Sequence, residues 1–158
     1  MRRKTILLML LMALFSSGAW AQTQMVYTSY SYDNGTSHYA SDQSPAKLVD
    51  NIKNADSKWC VPHFTDHSPI WVEFHSAQPI IPVGYVMTTG GDCSSYTGRN
   101  PRSWVIKAKR NSGDDWTTIE TQSNNTRLED VNLQDYTFNI NNSTEYQYFH
   151  FEVSSISL

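Results

Sequence analysis

His63 and His67, with Asp66 between them, have the types and spacing of a metal pair. Two imidazoles four residues apart share one face of a helix, where they can grip zinc. Here Pro62 and Pro69 bracket the segment and Thr65 and Ser68 lie inside it. That composition predicts a loop and removes the helical face the pair would need. Ser94 and Ser95 follow Cys93 without the glycines of a nucleophile elbow. Asp114 and Asp115 close the run Asn111-Ser112-Gly113, a turn in which Asp is favoured for its hydrogen bonds to nearby backbone. Glu73 and Glu152 alternate with apolar residues, as the solvent-facing positions of a sandwich do. No paired acid and base emerges, so the sequence predicts a chain that is not an enzyme.

The elements around these residues begin with an export signal. Arg2, Arg3 and Lys4 precede an apolar run from Ile6 to Phe15, and Ala19-Trp20-Ala21 offers small residues at the two positions a signal peptidase reads. Residues 1–21 are therefore expected to be a signal peptide, of bacterial type, and 22–158 one domain, secreted or periplasmic. The apolar run is too short for a permanent membrane span. Of the twelve Lys and Arg, three lie in the signal, which leaves nine against fifteen Asp and Glu. An acidic balance disfavours nucleic acid, which needs a basic footprint, and leaves sugars untouched. Export makes a disulfide between Cys60 and Cys93 chemically possible, worth about 3–4 kcal/mol in the chain-entropy model. Two buried free thiols are the alternative.

Short alternating segments recur along the chain. Strands are expected over Val26 to Tyr32, Lys58 to Val61, Ile70 to His75, Ile80 to Thr89, Ser103 to Lys109, Trp116 to Thr121, Tyr136 to Ile140 and Glu145 to Val153. In the last, Gln147, Phe149, Phe151 and Val153 share one face and Tyr146, Tyr148, His150 and Glu152 the other. Ser44-Pro45 opens a single helical turn. Many short strands with little helix predict an all-β sandwich or barrel. Trp59, Trp71, Trp104 and Trp116, in strand or turn-to-strand positions, are expected in its core.

Leu48-Val49-Asp50, then Ser57-Lys58-Trp59-Cys60 and Ile70-Trp71-Val72-Glu73-Phe74, resemble the discoidin family, the coagulation factor V/VIII type C domains. The strand Gly84-Tyr85-Val86-Met87-Thr88-Thr89-Gly90, with Asn100-Pro101-Arg102-Ser103-Trp104 and Ser112-Gly113-Asp114-Asp115-Trp116, is similar to that family's central hairpins. The resemblance covers roughly residues 26–153. It implies a galactose-binding-like jelly-roll sandwich that binds carbohydrate through loops at one end, as secreted bacterial relatives do. The alternatives it implies are a protein-interaction or cell-adhesion domain with a cell-surface ligand, or the N-terminal module of a larger secreted glycoside hydrolase.

The resemblance also implies a structural calcium, with Asp50 by side chain, Ser57 by hydroxyl or carbonyl and Lys47 by carbonyl. Two departures stand out: the family's Asp-Gly is Asp50-Asn51 here, and the final strand with its calcium-completing Glu does not follow Val153. The chain is therefore expected to be truncated at its C-terminus. For the sugar, Tyr32, Tyr39 and Phe64 are the candidate stacking faces, and His63, Asp92 and Arg99 the candidate hydrogen-bonding groups.

Overall fold

A computed structural model describes residues 6–8, 14–15, 22–31 and 43–157. Tyr32 and Tyr39 lie outside the described residues. In chain order the strands are β1 (Ile6–Leu8), β2 (Leu14–Phe15), β3 (Gln22–Thr23), β4 (Met25–Tyr30), β5 (Trp59–Val61), β6 (Ile70–Ile80), β7 (Gly84–Thr88), β8 (Pro101–Lys109), β9 (Thr117–Gln122), β10 (Asp135–Asn139) and β11 (Tyr146–Ile156). A 3-10 turn, Pro45–Leu48, stands between β4 and β5, with Ser44 at its N-cap position and Pro45 in its first turn. One short helix, α1 (Phe64–His67), follows β5.

The alternation of the sequence becomes two layers. The larger is a five-stranded antiparallel sheet in the order β4-β6-β11-β8-β9, and β7 pairs with β10 opposite it. β11 pairs on one side with β6 and on the other with β8, so it is the central strand of the large sheet. From the segment expected to be the signal peptide, β1 pairs with β5 and β2 with β3, both partners lying outside that segment.

Ile70, Val72 and Phe74 of β6, Phe149, Phe151 and Val153 of β11, and Trp104, Ile106 and Ala108 of β8 are all buried on the inner face. They meet Tyr85, Met87 and Phe138 from the small sheet. Trp104 Nε1 donates to Tyr85 Oη across 2.9 Å, and Phe138 stacks on Tyr85 while Trp104 meets it edge-on. Each ring here satisfies its polar atom while burying its face, which is what a core Tyr or Trp requires.

Two expectations are corrected. Trp59 and Trp104 are core, but Trp71 and Trp116 are only half-buried and lie on the outer face of the large sheet. Trp71 takes that face because Ile70 and Val72, its neighbours, point inward and side chains alternate. The segment between Pro62 and Pro69 is also not simply a loop: it holds the single turn of α1, whose inward residue is Phe64.

Candidate functional site

The loop from 89 to 100, between β7 and β8, is held by the loop from 123 to 134. Thr89 N donates to Gln134 O at 3.0 Å, and Thr89 Oγ1 accepts from Gln134 N and donates to Val131 O. Ser94 N donates to Asn132 Oδ1, and Asp130 takes both Gly98 N and Asn100 Nδ2. Gly98 has φ 78°, a conformation in which a side chain would be strained. The loop from 50 to 58 closes on the same place. A Cβ on Gly91 would lie 2.5 Å from Ala55 Cα, so only glycine allows that approach.

The three loops carry one cluster of charge and aromatic surface. Lys58, whose side chain is only 8% exposed, donates to Asp92 Oδ2 at 2.8 Å; Asp92 is 30% exposed. Asp92 Oδ1 is buried with no hydrogen-bond partner among the described residues. Beside them Tyr96 is 50% exposed, and Arg99 Cζ stands 4.2 Å from its ring centroid. One face of Tyr96 is thus taken by a guanidinium, whose charge, like that of Lys58, also reaches Cys60. A stacking aromatic, a cation and a part-exposed carboxylate are the elements that hold a polyol.

Asp92 and Arg99, both expected to meet a sugar, lie on one loop and are linked through Tyr96, whose amide donates to Asp92 O at 3.1 Å and whose ring lies under Arg99. His63 occupies the left-handed region at φ 56° as the N-cap of α1, half-buried. No hydrogen bond or ion pair among the described residues joins it to the cluster. Phe64 is corrected: at 2% exposure it is a core residue and offers no face to a ligand. No group of three His, Cys, Asp or Glu among the described residues is arranged to hold a metal ion.

Tyr96 and Lys58 are members of the cluster that sequence reasoning passed over. The one usable signal for Tyr96 was a lone aromatic in Cys93-Ser94-Ser95-Tyr96-Thr97-Gly98, where nothing apolar alternates with it. Lys58 gave no signal, since a lysine buries its stem wherever the surface allows.

Lys47, Asp50 and Ser57 do converge. Asp50 Oδ2 accepts from Ser57 Oγ at 2.6 Å and lies 3.4 Å from Lys47 Nζ, while Oδ1 accepts from Ile52 N. Asn54 Oδ1 is likewise taken by the amides of Asp56 and Ser57. Calcium takes six to eight oxygens. This donor set is one carboxylate already engaged by an ammonium and two other donors, so an ion there would have to displace Lys47.

Cys60 and Cys93 pack together in their own buried cluster, apart from the main core, as free thiols. Burial pushes Cys60 up to about 12, only partly offset by Arg99 and Lys58, and pushes Cys93 up to about 11. Neither thiol is a ready nucleophile at neutral pH.

No protein-family model matches the chain, and no curated protein does. Several solved structures share its architecture, two carbohydrate-recognising modules among them. A family 32 carbohydrate-binding module from Streptococcus pneumoniae EndoD superposes with a TM-score of 0.59 at 9% identity over 85% of both chains. A chitosan-binding module 1 from a Paenibacillus sp. IK-5 chitosanase/glucanase superposes with a TM-score of 0.58 at 12% identity over 86% of both. The chain therefore has the galactose-binding-like β-sandwich fold of these modules. No helix among the described residues is long and apolar enough to cross a membrane.

Proposed function

We propose that this chain is a secreted, non-catalytic module that binds carbohydrate through the loops at one end of its sandwich. The observation that carries the proposal is the half-exposed Tyr96 beside Arg99 and Asp92. The free face of Tyr96 suits the C–H side of a pyranose, and the guanidinium and carboxylate suit its hydroxyls. The fold supports it, since both solved neighbours are named as saccharide-binding modules. The acidic balance favours neutral or cationic sugars over sulfated ones. A glycan array on the domain from Gln22 onward tests it. Binding is expected to at least one glycan class, with Tyr96→Ala and Arg99→Ala each weakening it about tenfold. A parent protein that binds no glycan defeats the proposal.

Ile52, on the loop from 50 to 58, and Val131, on the loop from 123 to 134, are exposed apolar residues, which favours a protein-interaction or adhesion role as the second reading. Capture of a cell-surface protein with no glycan on the array would establish that reading instead. Attachment to a downstream glycoside hydrolase is tested by the genomic sequence beyond Leu158; an immediate stop codon excludes it.

A further inference from the structure

The outer face of the large sheet holds a second arrangement, on the opposite side of the core residues of β6, β8 and β11. The registers place its side chains in three rungs. His75, Tyr148 and Lys109 form one, Glu73, His150 and Lys107 the next, and Trp71, Glu152 and Val105 the third. The middle rung extends to Ser29, whose hydroxyl donates to Glu73 Oε2 at 3.0 Å. A solvent-facing sheet surface is ordinarily Thr, Ser, Lys and Glu. This one carries Trp71, Trp116, Tyr148 and two imidazoles.

His150 is the centre of it. Its ring lies 5.0 Å from Trp71 and 5.4 Å from Trp116, which sets the two indoles within about 10 Å of one another. Nδ1 faces Glu73 Oε1 at 3.0 Å and Nε2 faces Glu152 Oε2 at 3.3 Å. Lys107 Nζ lies 3.2 Å from the same Glu152 oxygen. These contacts fix both carboxylates in place: two of their four oxygens go to the His150 ring and Glu73 Oε2 to Ser29, which leaves Glu152 Oε1. The indoles on either side stay half-exposed.

We infer that this face is a second saccharide site, separate from the loop end, for a chain of neutral sugars lying across the strands. It rests on the carbohydrate reading of the protein. Charge selects the occupant: Glu73 and Glu152 are balanced by Lys107 and Lys109, so the face offers little net field to a nucleic acid, an anionic glycan or a lipid headgroup. Among the described residues its aliphatic surface is confined to Val105, Val26 and Ala77, which is poor material for the core of a protein interface. Paired indoles on either side of His150 supply stacking surfaces, and Glu152 Oε1 beside them is left as an acceptor for a ring hydroxyl. Lys109 Nζ lies 4.4 Å from the Trp116 ring, so a sugar on that face displaces a lysine that also has Ser112 O at 2.6 Å.

Affinity electrophoresis through gels cast with hydroxyethylcellulose, xylan, galactan or glycol chitin tests the inference. At least one polymer is expected to retard the parent, with Trp71→Ala and Trp116→Ala each weakening retention about tenfold. Tyr96→Ala reports the loop end separately. A polymer that retards the parent and both tryptophan variants alike, but not Tyr96→Ala, overturns the sheet site and leaves the loop site standing. A parent retarded by no polymer and silent on the array overturns both. Should the alanine variants misfold, iodide quenching of the parent decides: Trp59 and Trp104 are buried, so protection by the polymer reports Trp71 and Trp116. Unprotected fluorescence with the polymer bound refutes the site.

Discussion

The pair Lys58–Asp92 joins the loop from 50 to 58 to the candidate binding loop, and its two halves sit in different surroundings. Asp92→Asn removes the carboxylate and leaves an ammonium on a side chain only 8% exposed. Stranding one partner of a fully buried pair costs about 3–5 kcal/mol. Asp92 is itself 30% exposed, so water can enter where its charge was, and about 2–3 kcal/mol is the fitting figure. Lys58→Met keeps the apolar stem and strands a carboxylate that solvent already reaches, for about 1 kcal/mol or less. The double variant is expected to cost less than Asp92→Asn alone, because it removes the stranded ammonium. Urea unfolding of the parent, both single variants and the double variant, with equal m-values, measures all three. Equal costs for the two single variants, or a double variant equal to their sum, would refute the asymmetry.

Three further outcomes follow from the same geometry. With the thiols pushed up to about 12 and about 11 by burial, labelling of the native protein by iodoacetamide is expected to be far slower than in urea and to accelerate as pH rises above neutrality; equal native and unfolded rates would contradict it. At Glu152 burial raises the pKa, but hydrogen bonds from Lys107 and His150 outweigh it, so the net shift is downward. The stability this carboxylate contributes is present above its ordinary value near 4.5 and is lost as pH falls through the lower folded value. Glu152→Gln should therefore flatten the acid limb of a stability–pH curve, and an unchanged limb would count against the cluster. Finally, Lys47 and a calcium ion would compete for Asp50. Lys47→Met is expected to enlarge the thermal shift produced by millimolar calcium, and an equal shift in the parent would show that they do not compete.

The fold was legible because period-two alternation runs through the middle of β6, β8 and β11. Phe149, Phe151 and Val153 all face the core as their spacing required, and the rings of Tyr148 and His150 take the other face. The same rule, applied to Ile70-Trp71-Val72, would have put Trp71 outside; a general preference of tryptophan for cores misplaced it. Trp116 had no such signal, since it stands just before β9, outside the alternating strand. Asp92 and Arg99 could be picked out within one polar loop, whereas the exposure of Tyr96 depends on three loops meeting. Phe64 was misread because an apolar residue between two prolines looks like loop surface, and only α1 turns it inward.

The loop-end site is tested most directly by an amide chemical-shift titration of the isotope-labelled domain with the best glycan from the array. The largest changes are expected at Asp92, Tyr96 and Arg99 and at Asp130 and Asn132 beneath them. A glycan that binds while leaving these amides unmoved would contradict the site assigned to the loops.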